Sequence, residues 1–595
     1  MKKRKYIISI TVVLAAILIV VACSKSFLDK PPLGTLNPQI MATEKGVQGL
    51  LIGAYSLVDG EGAAGDGFAS GASNWGWGGV ASDDAYKGSD PTDVADFAPL
   101  ENCTITSVNG SLSQKWNLVY AGIQRSNEVL RVMRLATDIT DTTSIRAQAL
   151  FLRAFYHFEA KKIFGNIPYV DESITSQNTQ VTNSEDVWPK IEADLQYAVA
   201  NLPATWGSEV GRANNWAAKA MLAKAYMFEL KYTDAYPLLQ DIIANGVTAG
   251  GAHYALNPNF YSNFNPAQKN SAESVFAAQT SVQDGSSVDW GGDPNGNYGD
   301  ILNFPYTGGP GACCGFYNPS QDLANAYKTD PTTGLPLNGP ETYWYQGNNV
   351  SAESGTPYSG TLDPRIDRTM GRPGIPYLDW GLHPGFDWIR NPQNDGNKSP
   401  IKNVYAASQK NFTDVGSAYW GPTELVANNV NIIRFSDVLL WAAECAAEAN
   451  DLAAATNYVN QVRNRVADHP ETWVYKNSDY NAATATYSNT STPADKYLIK
   501  PYPTTFATQD IARQAIRFER RLELAMEGHR FFDLVRWGVA ADVLNPYYQR
   551  EQAFRPLKKG ATFVKGKNEY FPIPQNELDN MNADGTKRLT QNPGY

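Results

Sequence analysis

Histidine and cysteine are both scarce, five of each in 595 residues. No Cys/His group has the close pair spacing of a structural zinc site. No motif marks a nucleophile, a metal or a cofactor, so the chain reads as a non-enzyme without cofactor. Past residue 22, no apolar run approaches the ~18 residues needed to span a bilayer. Basic clusters are missing beyond the extreme N-terminus, and 60 acidic side chains outnumber 50 basic ones. That balance argues against nucleic acid and anionic lipid as partners.

What the sequence does contain begins at its N-terminus. Residues 2–5, KKRK, precede the apolar run YIISITVVLAAILIVVA and then Cys23. A charged start, an apolar middle and a small residue before the cut form an export signal rather than a structural helix. Leu, Ile and Val ahead of Ala22 and Cys23 resemble a bacterial lipobox, which predicts cleavage at residue 22 and lipid on Cys23. Several acyl chains, at ~0.8 kcal/mol per buried methylene, anchor a protein stably. Removing residues 1–22 leaves 46 basic against 60 acidic side chains, a formal charge of −14. The remaining 573 residues can bury a large core without disulfides.

Several segments are helical by spacing. In 144–165, Ile145, Ala149, Leu152, Tyr156 and Ile163 recur at three- and four-residue steps, beside a stripe of Phe151, Phe155 and Phe158. Gly165 and Pro168 close that helix. Two helix pairs share one plan: NNWAAKAMLAKAYMFEL with YTDAYPLLQDIIANG, and FSDVLLWAAECAAEAN with DLAAATNYVNQVRNRV. Ala217, Ala220 and Ala223, like Ala442, Ala443 and Ala446, let a second helix approach closely. This predicts a mostly α fold of tetratricopeptide-like helix pairs. Cys445 falls at a helical core position, while Cys103 has no evident role. The charges of 519–536 fall at helix-face ion-pair spacings, which points to a structural role.

Residues 246–430 interrupt the pattern with Gly, Pro, Asn, Asp and Ser between aromatics. Loops this long are usually functional or disordered, and disordered segments are poor in aromatics. We therefore expect one domain over 23–595: a helical framework over roughly 35–245 and 430–595, carrying an irregular, loop-rich ligand-binding half over roughly 246–430.

Blocks in order along the chain resemble one family, the SusD/RagB-like outer-membrane lipoproteins of Bacteroidota. They are CSKSFLDKPP, RAQALFLRAFYHFEAKKIFGNIPYV, IIRFSDVLLWAAECAAEAND, FERRLELAMEGHRFFDLVRWG, YFPIPQNEL and the terminal QNPGY. The resemblance implies four tetratricopeptide-like helix pairs under a variable half, an outer-membrane lipid anchor facing the exterior, and no catalysis. It also implies a TonB-dependent SusC-like transporter as partner and an oligosaccharide as ligand. Peptide capture, as in the RagB branch, is the alternative.

A sugar offers flat C–H faces ringed by hydroxyls, so its site needs exposed rings beside polar groups. Two loops fit. NWGWGGVASDDAY offers Trp75, Trp77, Asp83 and Tyr86. The stretch 289–316 offers Trp290, Tyr298, Asp300, Phe304, Tyr306 and Phe316. Trp75, Trp77, Trp290, Tyr298 and Tyr306 are the expected stacking rings, with Asp83 and Asp300 as hydroxyl acceptors; Trp344, Trp380 and Trp388 stand next in line. Paired carboxylates of a glycosidase are the minor reading, for Asp83 with Asp84 or Asp289 with Asp300. The adjacent Cys313 and Cys314 form a vicinal disulfide in one account, a hard apolar turn against a sugar face or beneath Phe316. In the others they are core thiols, or one pairs with Cys103.

Overall fold

The computed structural model describes residues 38–61, 67–175, 178–286, 295–311, 313–339, 342–414 and 425–595. Cys23 and Trp290 lie outside them. Among the described residues, nine helices carry the framework: α1 Glu44–Tyr55, α2 Gly110–Met133, α3 Thr142–Phe164, α4 Trp188–Asn201, α5 Asn215–Phe228, α6 Tyr232–Asn245, α7 Phe435–Glu448, α8 Leu452–Ala467 and α9 Gln509–Leu524. Side-chain oxygens of Asn109, Asp141, Asn214, Asp451 and Thr508 accept from backbone N–H groups of the first turns of α2, α3, α5, α8 and α9. Such caps satisfy donors that a helix start leaves unpaired.

Each helix packs on the next, from α2 through α6, and α6 then packs directly on α7. The superhelix thus runs on across the insertion, which loops out between Asn245 and Phe435. Buried Ala217, Ala220 and Ala223 on α5, and Ala442, Ala443 and Ala446 on α7, permit this close approach. Cys445 is buried beside Met227. The base of the insertion is pinched by two antiparallel strands, β1 Ser274–Ala278 and β2 Val430–Arg434, with Ser274 opposite Arg434. Phe276 of β1 packs edge-on against Phe151 and Phe155 of α3.

Asp510 and Arg513 of α9 pair along the helix surface, but its charges from Glu519 onward do not, as their spacing suggests they would. They point inward. Glu519 takes Arg365 and Arg463; Glu523 takes Arg365, Arg434 and Arg465. Glu273 joins Arg434 and Arg465, Glu527 joins Arg434 and Lys402, and Asp363 joins Arg365. Five cations meet five anions, and the cluster is neutral. It locks α8, α9 and β2 to residues 363–402 of the loop-rich half. A second cluster sets Arg521, Arg530 and Arg550 against Asp83, Asp84 and Asp322.

Candidate functional site

The two loops singled out by their composition do meet. Ser73 Oγ donates to Asp300 Oδ1 at 2.7 Å, and Trp75 Nε1 donates to the Gly299 carbonyl at 3.0 Å. Gly71 lies so close to Gly299 that a Cβ on either would sit within 2.9 Å of the other's Cα. The rings, however, face the wrong way for a ligand. Trp75 and Trp77 are each 1% exposed. Trp75 packs on Phe97, Phe316 and Tyr317, and Trp77 on Phe97 and Phe571. The glycines beside them serve close packing rather than exposure: a Cβ at Gly76 would lie 2.8 Å from the Phe97 ring, and one at Gly78 1.8 Å from the Gly528 carbonyl oxygen.

The other expected contacts need correction too. Phe304 and Phe316 are fully buried. Tyr86 is buried and donates to Glu551 Oε2 at 2.5 Å. Asp83 is bound by Arg530 Nε at 2.8 Å and by Arg521. Burial alone would raise its pKa, but the two guanidiniums outweigh that and hold it well below the usual carboxylate range. Neither Asp83 nor Asp84 is free to act on a glycosidic bond. Asp300 is buried under Ser73, Asn297 and Asn303, and burial raises its pKa.

Of the first-choice rings among the described residues, only Tyr298 and Tyr306 stay half-exposed, a level they share with the reserve tryptophans Trp344, Trp380 and Trp388. Tyr298 stands over Gly67, where a Cβ would meet its ring at 2.5 Å. Tyr306 lies under the Arg390 guanidinium, 5.0 Å from its ring centre. Cys313 and Cys314 are joined by a disulfide, with Cys103 free beside the Tyr548 hydroxyl. The reserve tryptophans are anchors: Trp344 donates to Asp322, Trp380 to the Tyr405 carbonyl, and Gly308 and Gly309 cover Trp388.

The open space lies elsewhere on the same seam. A cleft of about 740 Å³ separates the end of α1 from β1 and its continuation. One wall is Ile52, Tyr55, Val58, Asp59 and Glu61; the other runs from Phe276 through Gln279 and Thr280 to Asn295, with Arg212 at the side. Ile52 and Gln279 are exposed, and Arg212 is half-buried and paired with Glu209. Burial pushes Asp59 up to about 7, and burial with the nearby Asp59 charge pushes Glu61 up to about 8. Apolar wall, amides and weakly acidic carboxyls together can grip a neutral, hydroxyl-rich ligand without covalent chemistry. Sequence spacing gave no hint of these residues, because they come from α1, the turn before α5 and β1, and none sits in an aromatic motif.

Residues 272–595, more than half of the chain, match the SusD family model. The chain belongs to the SusD family. Residues 80–227 also match a model described as starch-binding and associating with the outer membrane. This SusD-family chain is 26% identical over 488 residues to SusD-like protein P25 of Formosa agariphila, covering 79% of this chain and 77% of that one. With SusD-like protein P2 of the same organism, identity is 24% over the whole of both chains. Among solved structures, a laminarin-binding SusD-like protein superposes with a TM-score of 0.62 at 23% identity, over 93% of this chain and 100% of that one. Surface glycan-binding protein A of Bacteroides thetaiotaomicron, in complex with laminarihexaose, gives 0.61 at 22% identity, over 92% and 99%. These likenesses establish the fold of helix pairs and loop-rich half. The two structural relatives are named for binding, not catalysis.

Proposed function

We propose that the chain captures an oligosaccharide in the cleft between α1 and β1 and delivers it to a TonB-dependent SusC-like transporter. A lipid on Cys23 would hold it at the outer membrane, facing outward. The observation that carries the reading is the 740 Å³ cleft at the junction of the early loop and the loop-rich half, within a SusD-family framework. Support for a glycan comes from the relatives that bind laminarin and laminarihexaose. Support for the membrane comes from the family description and the lipobox-like N-terminus; among the described residues no helix is long and apolar enough to cross a bilayer. Asn295 on the cleft wall lies five residues after Trp290, which remains a proposed stacking ring. Tyr298 and Tyr306 keep the partial exposure that a ligand contact needs.

The test is calorimetric titration of the form beginning at Ser24 with a panel of oligosaccharides that includes laminarihexaose, with unstructured peptides as a parallel arm. Saturable heat with at least one glycan is expected. Heat with peptides alone would move the reading to peptide capture, and heat with neither would remove it.

A further inference from the structure

Beneath the loop that joins Asn295 to Phe304 lies a second cavity, of about 50 Å³. Asp300 forms part of its wall and is 5% exposed. Its carboxylate accepts from Ser73 Oγ at 2.7 Å, Asn297 Nδ2 at 2.8 Å and Asn303 Nδ2 at 3.1 Å. All three donors are neutral. Among the described residues, no Lys, Arg or His lies within ion-pair distance of it. A buried carboxylate with no counter-charge is costly, by several kcal/mol even after relaxation. It stands out here because the neighbouring clusters are so fully matched. Lys402 lines the same cavity, but its ammonium donates to Glu527 Oε1 at 2.7 Å and belongs to the neutral set of five and five.

Two further wall atoms are oxygens with no partner: Asn303 Oδ1 and Asn428 Oδ1, on side chains 0% and 3% exposed. Their orientation follows from the hydrogen bonds. Asn303 gives its Nδ2 to the Asp300 carboxylate. Asn428 gives its Nδ2 to the carbonyls of Phe264 at 2.8 Å and Val404 at 3.2 Å. Turning either amide over would set oxygen against oxygen, so the Oδ1 atoms are the ones left to the cavity. The buried Tyr317 side chain lines the same space.

One carboxylate without a counter-charge and two orphan amide oxygens belong to residues that line one space, roomy enough for an ion with a few waters. Hard cations take such oxygens, carboxylate, amide carbonyl and water together. We propose that this cavity binds a hard metal cation, Na⁺ or Ca²⁺, through Asp300, Asn303 and Asn428. The single unmatched charge suits a monovalent ion; Ca²⁺ shares the ligand chemistry. The ion would tie the early loop, through Ser73, to residues 297–303 and to the segment ahead of β2. The site is separate from the cleft and stands whether or not that cleft takes a glycan.

The experiment is thermal unfolding of the chelator-washed form from Ser24, in choline chloride exchanged for NaCl, KCl or CaCl₂ at constant ionic strength. A saturable rise in Tm with one of these salts over choline is expected, and Asp300→Asn should abolish it. A response to NaCl alone assigns Na⁺; a response to CaCl₂ with about one calcium retained per chain assigns Ca²⁺. Should Asp300→Asn fail to fold, Asn428→Ala decides: without its Oδ1 the half-saturating concentration should rise at least tenfold. The same Tm in every salt, an equal response in Asp300→Asn, or an unmoved half-saturation in Asn428→Ala would overturn the proposal and leave a water-filled cavity.

Discussion

The helical framework meets the loop-rich half along two seams of opposite character. At one, α8, α9 and β2 meet residues 363–402 through five cations and five anions, nearly all fully buried, with no group left short of a partner charge. At the other, the end of α1 faces β1 across open space, and burial pushes Asp59 up to about 7 and Glu61 up to about 8. Charge at a closed seam is architecture, because each partner exists to cancel another. Polar groups at an open seam are available to something that is not part of the chain.

The closed seam should be the easier to break. Glu523→Ala removes the carboxylate shared by Arg365, Arg434 and Arg465 and strands buried guanidiniums. Removing one partner of a buried pair costs ~3–5 kcal/mol, so the urea midpoint should fall steeply. A midpoint within error of the parent would show that the cluster rearranges freely. Trp77→Ala, in the core between the seams, should cost a similar ~3–5 kcal/mol and lower Tm sharply. Lost glycan binding at unchanged Tm would return Trp77 to the ligand surface.

Much of the framework was legible in the sequence. The alanine steps of α5 and α7 and the glycine after α3 specify helices and close helix contacts directly. The contact between α6 and α7 was not legible, because nearly two hundred residues separate them. The early loop and the 289–316 stretch were each singled out by composition, and their described parts meet, but most of their described rings are buried. A glycine that exposes a loop and a glycine that lets two backbones touch look the same in sequence, and Gly78 and Gly71 are of the second kind. The charges of 519–536 are structural as expected; Asp533 with Arg536 follows the helix spacing, while the other partners lie up to hundreds of residues away, beyond the reach of any spacing rule.

The open seam predicts a pH dependence. The folded-state pKa values of Asp59 and Glu61 lie above the ~4 of unfolded chains. The folded protein therefore binds more protons, and this contribution to stability is full below about pH 4 and lost as pH rises to about 8. The Asp59→Asn/Glu61→Gln variant should show a flatter stability profile over that range; an unchanged slope would mean that other groups dominate it. The smallest effect belongs to the disulfide. Its ring closes almost no chain, so Cys313→Ser/Cys314→Ser should change stability by no more than about 1–1.5 kcal/mol, read by urea unfolding. A loss as large as that of Glu523→Ala would give the pair a framework role.

The account rests on the open seam being the ligand site, and paired titrations test that most directly. The parent and an Arg212→Ala/Gln279→Ala variant, both with wall side chains of the cleft, are titrated calorimetrically with whichever glycan of the panel binds. The variant should keep its Tm within a few degrees and lose at least tenfold in affinity, ~1.4 kcal/mol. Unchanged affinity in the variant, with the glycan still bound by the parent, would contradict the account and move the site off this cleft.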